Sequence, residues 1–392
     1  MRLNYVNGLK GIGCVLVSVG HMAAILLPSL YFGAGCENHT RFEPFIYETP
    51  LNMLFNSSSA LMCFLLLSGF VIPLKKYNKG EGISVLNKWI EKYFRFMPMA
   101  LIGILFGWFI MKLGLVYSYK MMDLSYSYSY ASIYNNFEPA GLFEINGPIF
   151  EGIIRVFWLN SQINSPLGTL KYIWQYSFLL LIFAKWVTDW KCRDCIYGIT
   201  IISCFYVGQL YKYEIFYLGA MLLGMWVCDG LFNPKRKKHL DKIPQSAAMF
   251  FLGIGLILLS VPVANPLNGI YRWVSDVPIN HTLYWIIGWA LIVLAIANLS
   301  FLQKMLSSSI LLKLGKVSFA YFAVHWPIII SFSCILTLFM YNKLHFTYTI
   351  AALSAMGISI LVIFLMALFV QDYVYKYLYK VEQFILRKLV EE

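Results

Sequence analysis

The chain has 392 residues, a formal net charge of +12, and 59% hydrophobic against 13% charged residues. A soluble domain carries about twice that charged fraction, so the composition and a mean hydropathy of +0.66 exclude one and specify a polytopic membrane protein. The excess cations lie between apolar stretches, which points to a bilayer and argues against a nucleic-acid partner.

The first apolar stretch, YVNGLKGIGCVLVSVGHMAAILLP at residues 5–28, is too long for a signal-peptide core. No small-residue cleavage site follows it, so it reads as a span. As a helix it aligns Asn7, Lys10, Cys14, Ser18 and His21 on one stripe, at steps of three and four. Lys10 and His21 are eleven residues apart, roughly 16 Å of helical rise. Ionisable groups in hydrocarbon are costly and mark functional sites. The competing reading is that Lys10 snorkels to the headgroups while His21 makes one interhelical hydrogen bond.

Ten spans are expected, each near the ~20 residues a bilayer requires. They are 8–29, 56–74, 96–116, 169–186, 194–211, 213–230, 246–262, 282–300, 317–340 and 347–370. Of the 31 Lys and Arg residues, 23 fall on one side of this arrangement: Arg2, Lys10 and those within 75–95, 185–193, 235–242, 304–316 and the C-terminal tail. The positive-inside bias then makes both termini cytoplasmic. The fold expected is all-α integral membrane, with residues 1–375 forming one ten-helix domain in the plasma (cytoplasmic) membrane and 376–392 a short cytoplasmic tail.

Two outer segments are long, 30–55 and 117–168. The second opens on a Tyr/Ser alternation, YSYKMMDLSYSYSYAS, that suits a strand or an irregular loop. It closes on PIFEGIIRVFWL, too short to span, where Glu151 and Arg155 stand at i,i+4. That piece reads as an amphipathic helix on the outer surface or capping the bundle. Only Cys36 lies in an outer loop, so no external disulfide framework is available. Cys192 and Cys195 form a CRDC with no second pair to complete a zinc site, and no metal is expected. Asn38-His39-Thr40 and Asn280-His281-Thr282 are glycosylation-type tripeptides on the outer side, a pattern that arises readily by chance.

Three further stretches carry polar chemistry. In KWIEKYFRFMP, residues 88–98, Lys88, Lys92 and Arg95 share one face at the membrane entrance. Such a face holds phosphates, although topology alone also places cations there. In LGKVSFAYFAVHWP, residues 314–327, Ser318, Tyr321 and His325 share a face, and Pro327 is expected to free backbone carbonyls beside the imidazole. His21 and His325 then meet in a common polar cavity, or His325 only satisfies packing. In FLLLSGFVIPL, residues 64–74, Ser68-Gly69 is read as a site of close helix approach.

Taken in order, YVNGLKGIG…H, FLLLSGFVI, K–FRFMP, LGTLKYIWQYSFLLL (167–181) and LGKVSFAYFAVHWPI (314–328) resemble the acyltransferase-3 family from residue 5 to about 370. The resemblance implies a ten-helix membrane enzyme moving an acyl group, usually acetyl from acetyl-CoA, onto a hydroxyl of a lipid-linked or surface saccharide. It puts the family's essential histidine on His21, its phosphate-side arginine on Lys10, and its paired basic residues on Lys92 and Arg95. The chain departs from the family pattern at three places. Asn7 stands for an Asp, and Lys10 stands for an Arg, losing the bidentate fork. The acidic element reads Gly168-Thr169-Leu170-Lys171-Tyr172-Ile173, with Ile173 or Gln175 where a carboxylate belongs.

On this reading Lys10, Lys92 and Arg95 hold the acyl-CoA phosphates, the pantetheine arm runs along the first helix, and His21 is general base on an acceptor hydroxyl. An acyl-imidazole relay is the variant mechanism. Asn7, Ser18, Tyr321 and His325 line the site, with Tyr321 or His325 orienting the acceptor or polarising the thioester. Trp158, Trp273 and Trp285 suit sugar stacking or interfacial anchoring equally. A transporter or flippase is the competing class, but the stretch at 5–28 has no counterpart near 190–215, as an internal repeat would require. The missing carboxylate raises a third reading, an inactive family member.

Overall fold

The computed structural model describes residues 3–33, 36–79, 83–127, 146–235, 240, 243–264 and 269–377. Every regular element among them is helical, as lipid demands of backbone groups that find no water to bond. Ten long helices follow the ten apolar stretches. They are α1 Asn4–Leu26, α2 Ser57–Phe70, α3 Val85–Lys112, α4 Leu170–Trp186, α5 Arg193–Leu210, α6 Ile215–Phe232, α7 Gln245–Leu259, α8 His281–Asn298, α9 Ser309–Ile328 and α10 Tyr348–Phe369. Beyond Pro327, α9 continues through a π-helical turn, Ile329–Ser333, into Cys334–Asn342.

Seven of these, counted with their immediate extensions, are long and apolar enough to cross a bilayer. The shortfall from ten has a local cause at each place. The apolar helices α2 and α7 have only 14 and 15 residues, below the ~20 that a hydrocarbon core needs. Helix α5 opens on Arg193 and Asp194 and carries Gln209 near its end, which dilutes its apolar character. The described start of the Tyr/Ser stretch is neither strand nor irregular loop: Ser118–Met121 and Met122–Ser125 are helical turns. Residues 128–145, and residues 378–392 of the expected tail, lie outside the described residues.

The piece at 148–159 is helical and packs on the bundle, one of the two places expected for it. It is a short helix interrupted by a π turn, Glu151–Arg155, and Gly152 lets it sit directly against Leu101 of α3. The i,i+4 ion pair does not form. Glu151 turns inward and is buried, while Arg155 Nε donates to the Asn160 carbonyl at 3.2 Å. Its other side exposes Phe150, Ile154 and Trp158, so it is embedded by apolar residues as well as packed on the bundle.

Two backbone-to-backbone crossings organise the helices. At the crossing of α2 with α6, a Cβ on Gly69 would stand 1.8 Å from the Met221 carbonyl oxygen, and one on Gly224 would stand 1.9 Å from that of Leu66. The Ser68-Gly69 reading as a packing element is therefore correct. Where α1 meets α9, a Cβ on Gly315 would lie 2.0 Å from the Asn7 carbonyl oxygen. Small residues permit such approach, and in lipid packing replaces the hydrophobic drive.

Cations assigned from sequence to a common side gather in one network. Lys76 Nζ reaches Thr188 Oγ1 at 2.8 Å and Asp189 Oδ2 at 2.9 Å, Lys235 Nζ reaches Asp189 Oδ1 at 3.0 Å, and Arg193 pairs with buried Asp229 at 3.2 Å. Tyr77 closes it by donating to Asp229 Oδ1 at 2.5 Å. Burial first, and the Asp229 carboxylate second, push the Tyr77 phenol well above its ordinary pKa. Cys192 and Cys195 are exposed beside this network, whereas Cys14, Cys63, Cys204, Cys228 and Cys334 are buried.

Gly69→Ala is expected to lower thermal stability in detergent by about 2 kcal/mol or more, because a methyl group meets backbone that cannot yield. Gly253→Ala, with nothing within 4 Å of the added Cβ, leaves it unchanged. Differential scanning fluorimetry compares the two.

Candidate functional site

The tight α1–α9 crossing lays the polar stripe of one helix on that of the other. Ser18 Oγ and Tyr321 OH are 2.8 Å apart and fully buried. One turn further along, the His21 and His325 rings meet with centroids 5.4 Å apart, and Trp326 stands edge-on to His21 at 5.3 Å. The two rings meet, as one of the two sequence readings had it, but not in a common cavity: neither His325 nor Ser18 is among the residues lining the cavity at His21, because both are spent inside the helix crossing. Trp326 was missed, because its place beside His21 depends on the helix crossing rather than on any spacing.

His325 is held by its own helix. Its Nδ1 donates to the Phe322 carbonyl at 2.7 Å. A carbonyl only accepts, so the lone pair sits on Nε2. That nitrogen is buried and has no partner among the described residues. Pro327 cannot donate to the carbonyl four residues before it, and that orphaned Ala323 oxygen accepts from Asn164 Nδ2 at 2.8 Å. The carbonyl that Pro327 frees is thus filled by a side chain from the loop before α4.

A buried carboxylate fixes the same loop. Glu151 Oε1 accepts from Ser161 Oγ at 2.7 Å and from the backbone N–H groups of Gln162 at 2.7 Å and Ile163 at 2.8 Å. Thus held, the loop presents Ser165, Pro166 and Thr169 to a cavity of about 210 Å³. Half-buried His21 forms its floor with Phe322 and Trp326, and Tyr31, Ser57 and Ser58 complete its polar wall. Tyr321 is not among the lining residues. It clamps Ser18 instead.

The other end of α1 carries charge. Lys10, Lys92 and Arg95 lie close enough to repel one another electrostatically. Lys10 and Lys92 are half-buried and Arg95 is exposed. Lys92 Nζ donates to the Ile173 carbonyl at 3.3 Å and stands 5.6 Å from the Phe96 ring centroid. None of the three has a carboxylate partner among the described residues. Like charges left unbalanced at a membrane entrance are suited to a polyanion. Asn7 joins neither cluster. Its side chain is exposed, and only its carbonyl takes part in the crossing, at Gly315.

Between the two ends stand two phenylalanines. Phe64 lies against Gly13 of α1, and its ring centroid is 6.2 Å from that of Phe322. Phe322 in turn stacks on His325 at 5.3 Å. Cys63, the neighbour of Phe64, lies within electrostatic range of Lys10. The ring pair thus separates the cationic level from the histidine level. The positions aligned with the missing carboxylate stand apart from the cavity. Ile173 offers its carbonyl to Lys92, and Gln175 Nε2 donates to the Phe157 carbonyl at 2.9 Å.

A family model described as an acyltransferase domain, acyltransferase-3, matches residues 3–368. No curated protein and no solved structure matches the chain.

Asn164→Ala leaves the Ala323 carbonyl buried and unsatisfied, a cost of about 1–3 kcal/mol. A fall in unfolding temperature is expected for it and none for Gln162→Ala, whose side chain is exposed. Equal unfolding temperatures would remove the clamp.

Proposed function

The chain belongs to the acyltransferase-3 family, and from that membership we propose that its two polar clusters serve one reaction, transfer of a short acyl group from acyl-CoA to a saccharide hydroxyl. The observation that carries the proposal is the pairing of a cation cluster without carboxylate partners and a histidine-floored polar cavity at opposite ends of one helix. The donor's phosphates sit among Lys10, Lys92 and Arg95. Its pantetheine arm passes α1 on the α2 side, by Cys63 and Phe64, because the Ser18–Tyr321 hydrogen bond closes the stripe itself. The thioester reaches His21 where Phe322 joins the cavity wall. A volume of about 210 Å³, shared with the incoming hydroxyl, suits acetyl better than a long chain.

In the transfer step the acceptor oxygen attacks the thioester carbonyl carbon as His21 takes the hydroxyl proton. The carbon–sulfur bond then breaks, and the thiolate leaves and recovers that proton. His325 is the positioning residue: its ring, fixed on the Phe322 carbonyl, stands 5.4 Å from that of His21 and limits how the His21 ring can turn toward the acceptor. Ser57, Ser58 and Thr169 supply hydroxyls around the acceptor.

His21→Ala is expected to lower acetyl transfer from labelled acetyl-CoA to glycan by about 10²–10⁴-fold, with the unfolding temperature unchanged. Undiminished acetylated product would sink the assignment. Arg95→Glu should raise the donor KM far more than it lowers kcat, and the KM of the parent protein should rise with salt. A donor KM indifferent to both would free the cation cluster of this role.

A further inference from the structure

A second, larger cavity of about 650 Å³ adjoins the one at His21. Ser58 lines both, and its Oγ lies 2.9 Å from Tyr31 OH at their common wall. The cavity is built from the end of α5, the start of α8 and the segment leading into α8. No Asp, Glu, Lys or Arg is among its lining residues. The wall therefore offers a charged ligand no counter-charge, whereas an uncharged polar one needs none.

Its polar groups are fixed by one another. The Asn280 N–H donates to Gln209 Oε1 at 2.9 Å, and Gln209 Nε2 donates to the Pro278 carbonyl at 2.9 Å. Thr282 Oγ1 meets Tyr213 OH at 3.2 Å. His281 Nδ1 donates to the Pro262 carbonyl at 2.8 Å, which leaves its Nε2 as an acceptor. The Asn280 side-chain oxygen caps α8 through the Thr282 N–H at 3.0 Å, which leaves its amide NH₂ as donor. This glycosylation-type tripeptide is therefore a helix cap and part of a cavity wall. Trp285 stands behind it with its indole N–H fixed to the Val261 carbonyl at 2.8 Å.

Such a wall offers donors and acceptors without net charge, in fixed positions, beside an aromatic ring. Sugar hydroxyls, each both donor and acceptor, match it. The volume lies within the ~300–1,000 Å³ of small-molecule sites and exceeds what a single hydroxyl-bearing group needs. We propose that this cavity binds the neutral, polyhydroxylated portion of the acceptor, next to the unit whose hydroxyl enters the His21 cavity past Ser58. This rests on the acyl-transfer reading and adds to it the place and the charge class of the acceptor.

The test measures binding without any acyl donor, on the full chain in nanodiscs. Maltotriose and triacetylchitotriose are the neutral probes and trigalacturonic acid the anionic one, read by calorimetry or saturation-transfer NMR. At least one neutral probe should bind about tenfold more tightly than trigalacturonic acid, and the Gln209→Ala/His281→Ala double variant should weaken that binding about tenfold. A preference for the anionic probe, or neutral binding unmoved in a folded double variant, overturns the proposal. A diazirine derivative of triacetylchitotriose, photolysed on the unaltered chain, should mark peptides holding Gln209 or residues 275–285. Marking confined to other segments also overturns it. A chain that binds the neutral probe here yet transfers no acyl group would refute the preceding subsection and leave this site standing.

Discussion

The contact on which the site depends is backbone against backbone, where α1 crosses α9. With a hydrogen at Gly315 in place of a side chain, the two helix axes come close enough for short polar groups to touch across them. Ser18 then reaches Tyr321, and His21 reaches His325. A wider crossing would leave hydroxyls and imidazoles in hydrocarbon without partners, each at several kcal/mol. The chemistry of the cavity is thus a product of the packing, and the polar stripe on α1 acquires meaning only because a second stripe lies on it.

Around that contact the protein separates two environments. The cationic end is half-open and electrostatically unbalanced, whereas the histidine end is a small polar cup under a loop fixed by Glu151 and Asn164. Phe64 and Phe322 mark the boundary. On the proposed reaction, that aromatic boundary would limit the water reaching the base. The same division explains why Tyr321 is a clamp and not a lining residue: it sits on the closed side of α1, where its phenol is used up by Ser18.

The sequence carried the helical fold and the two polar stripes because both rest on period, whereas the meeting of the histidines, one of two open readings, was decided by the crossing at Gly315. Steps of three and four put Ser18 and His21, and Tyr321 and His325, on their respective stripes, and an apolar run announces a span whatever it packs against. It did not carry Glu151 or Asn164. The partners of Glu151 are a side-chain hydroxyl and two backbone N–H groups ten to twelve residues away, and those of Asn164 lie 61 and 159 residues away. The i,i+4 spacing of Glu151 and Arg155 gave no hint of this, since the carboxylate is spent on the loop instead. Pro327 lies between these cases. The lost hydrogen bond was legible, but the side chain that replaces it was not.

The thiols offer a practical consequence. Five of the eight are sealed inside the bundle, while Cys192 and Cys195 stand in the open beside Asp229, Lys76 and Arg193. A bulky maleimide that cannot permeate lipid will therefore alkylate the CRDC pair long before the sealed five. Applied to intact cells and then to inverted vesicles, with the alkylated peptide identified so that half-buried Cys36 is told apart from the pair, it reads out native sidedness from the untouched chain, with no engineered reporter and no cysteine removed.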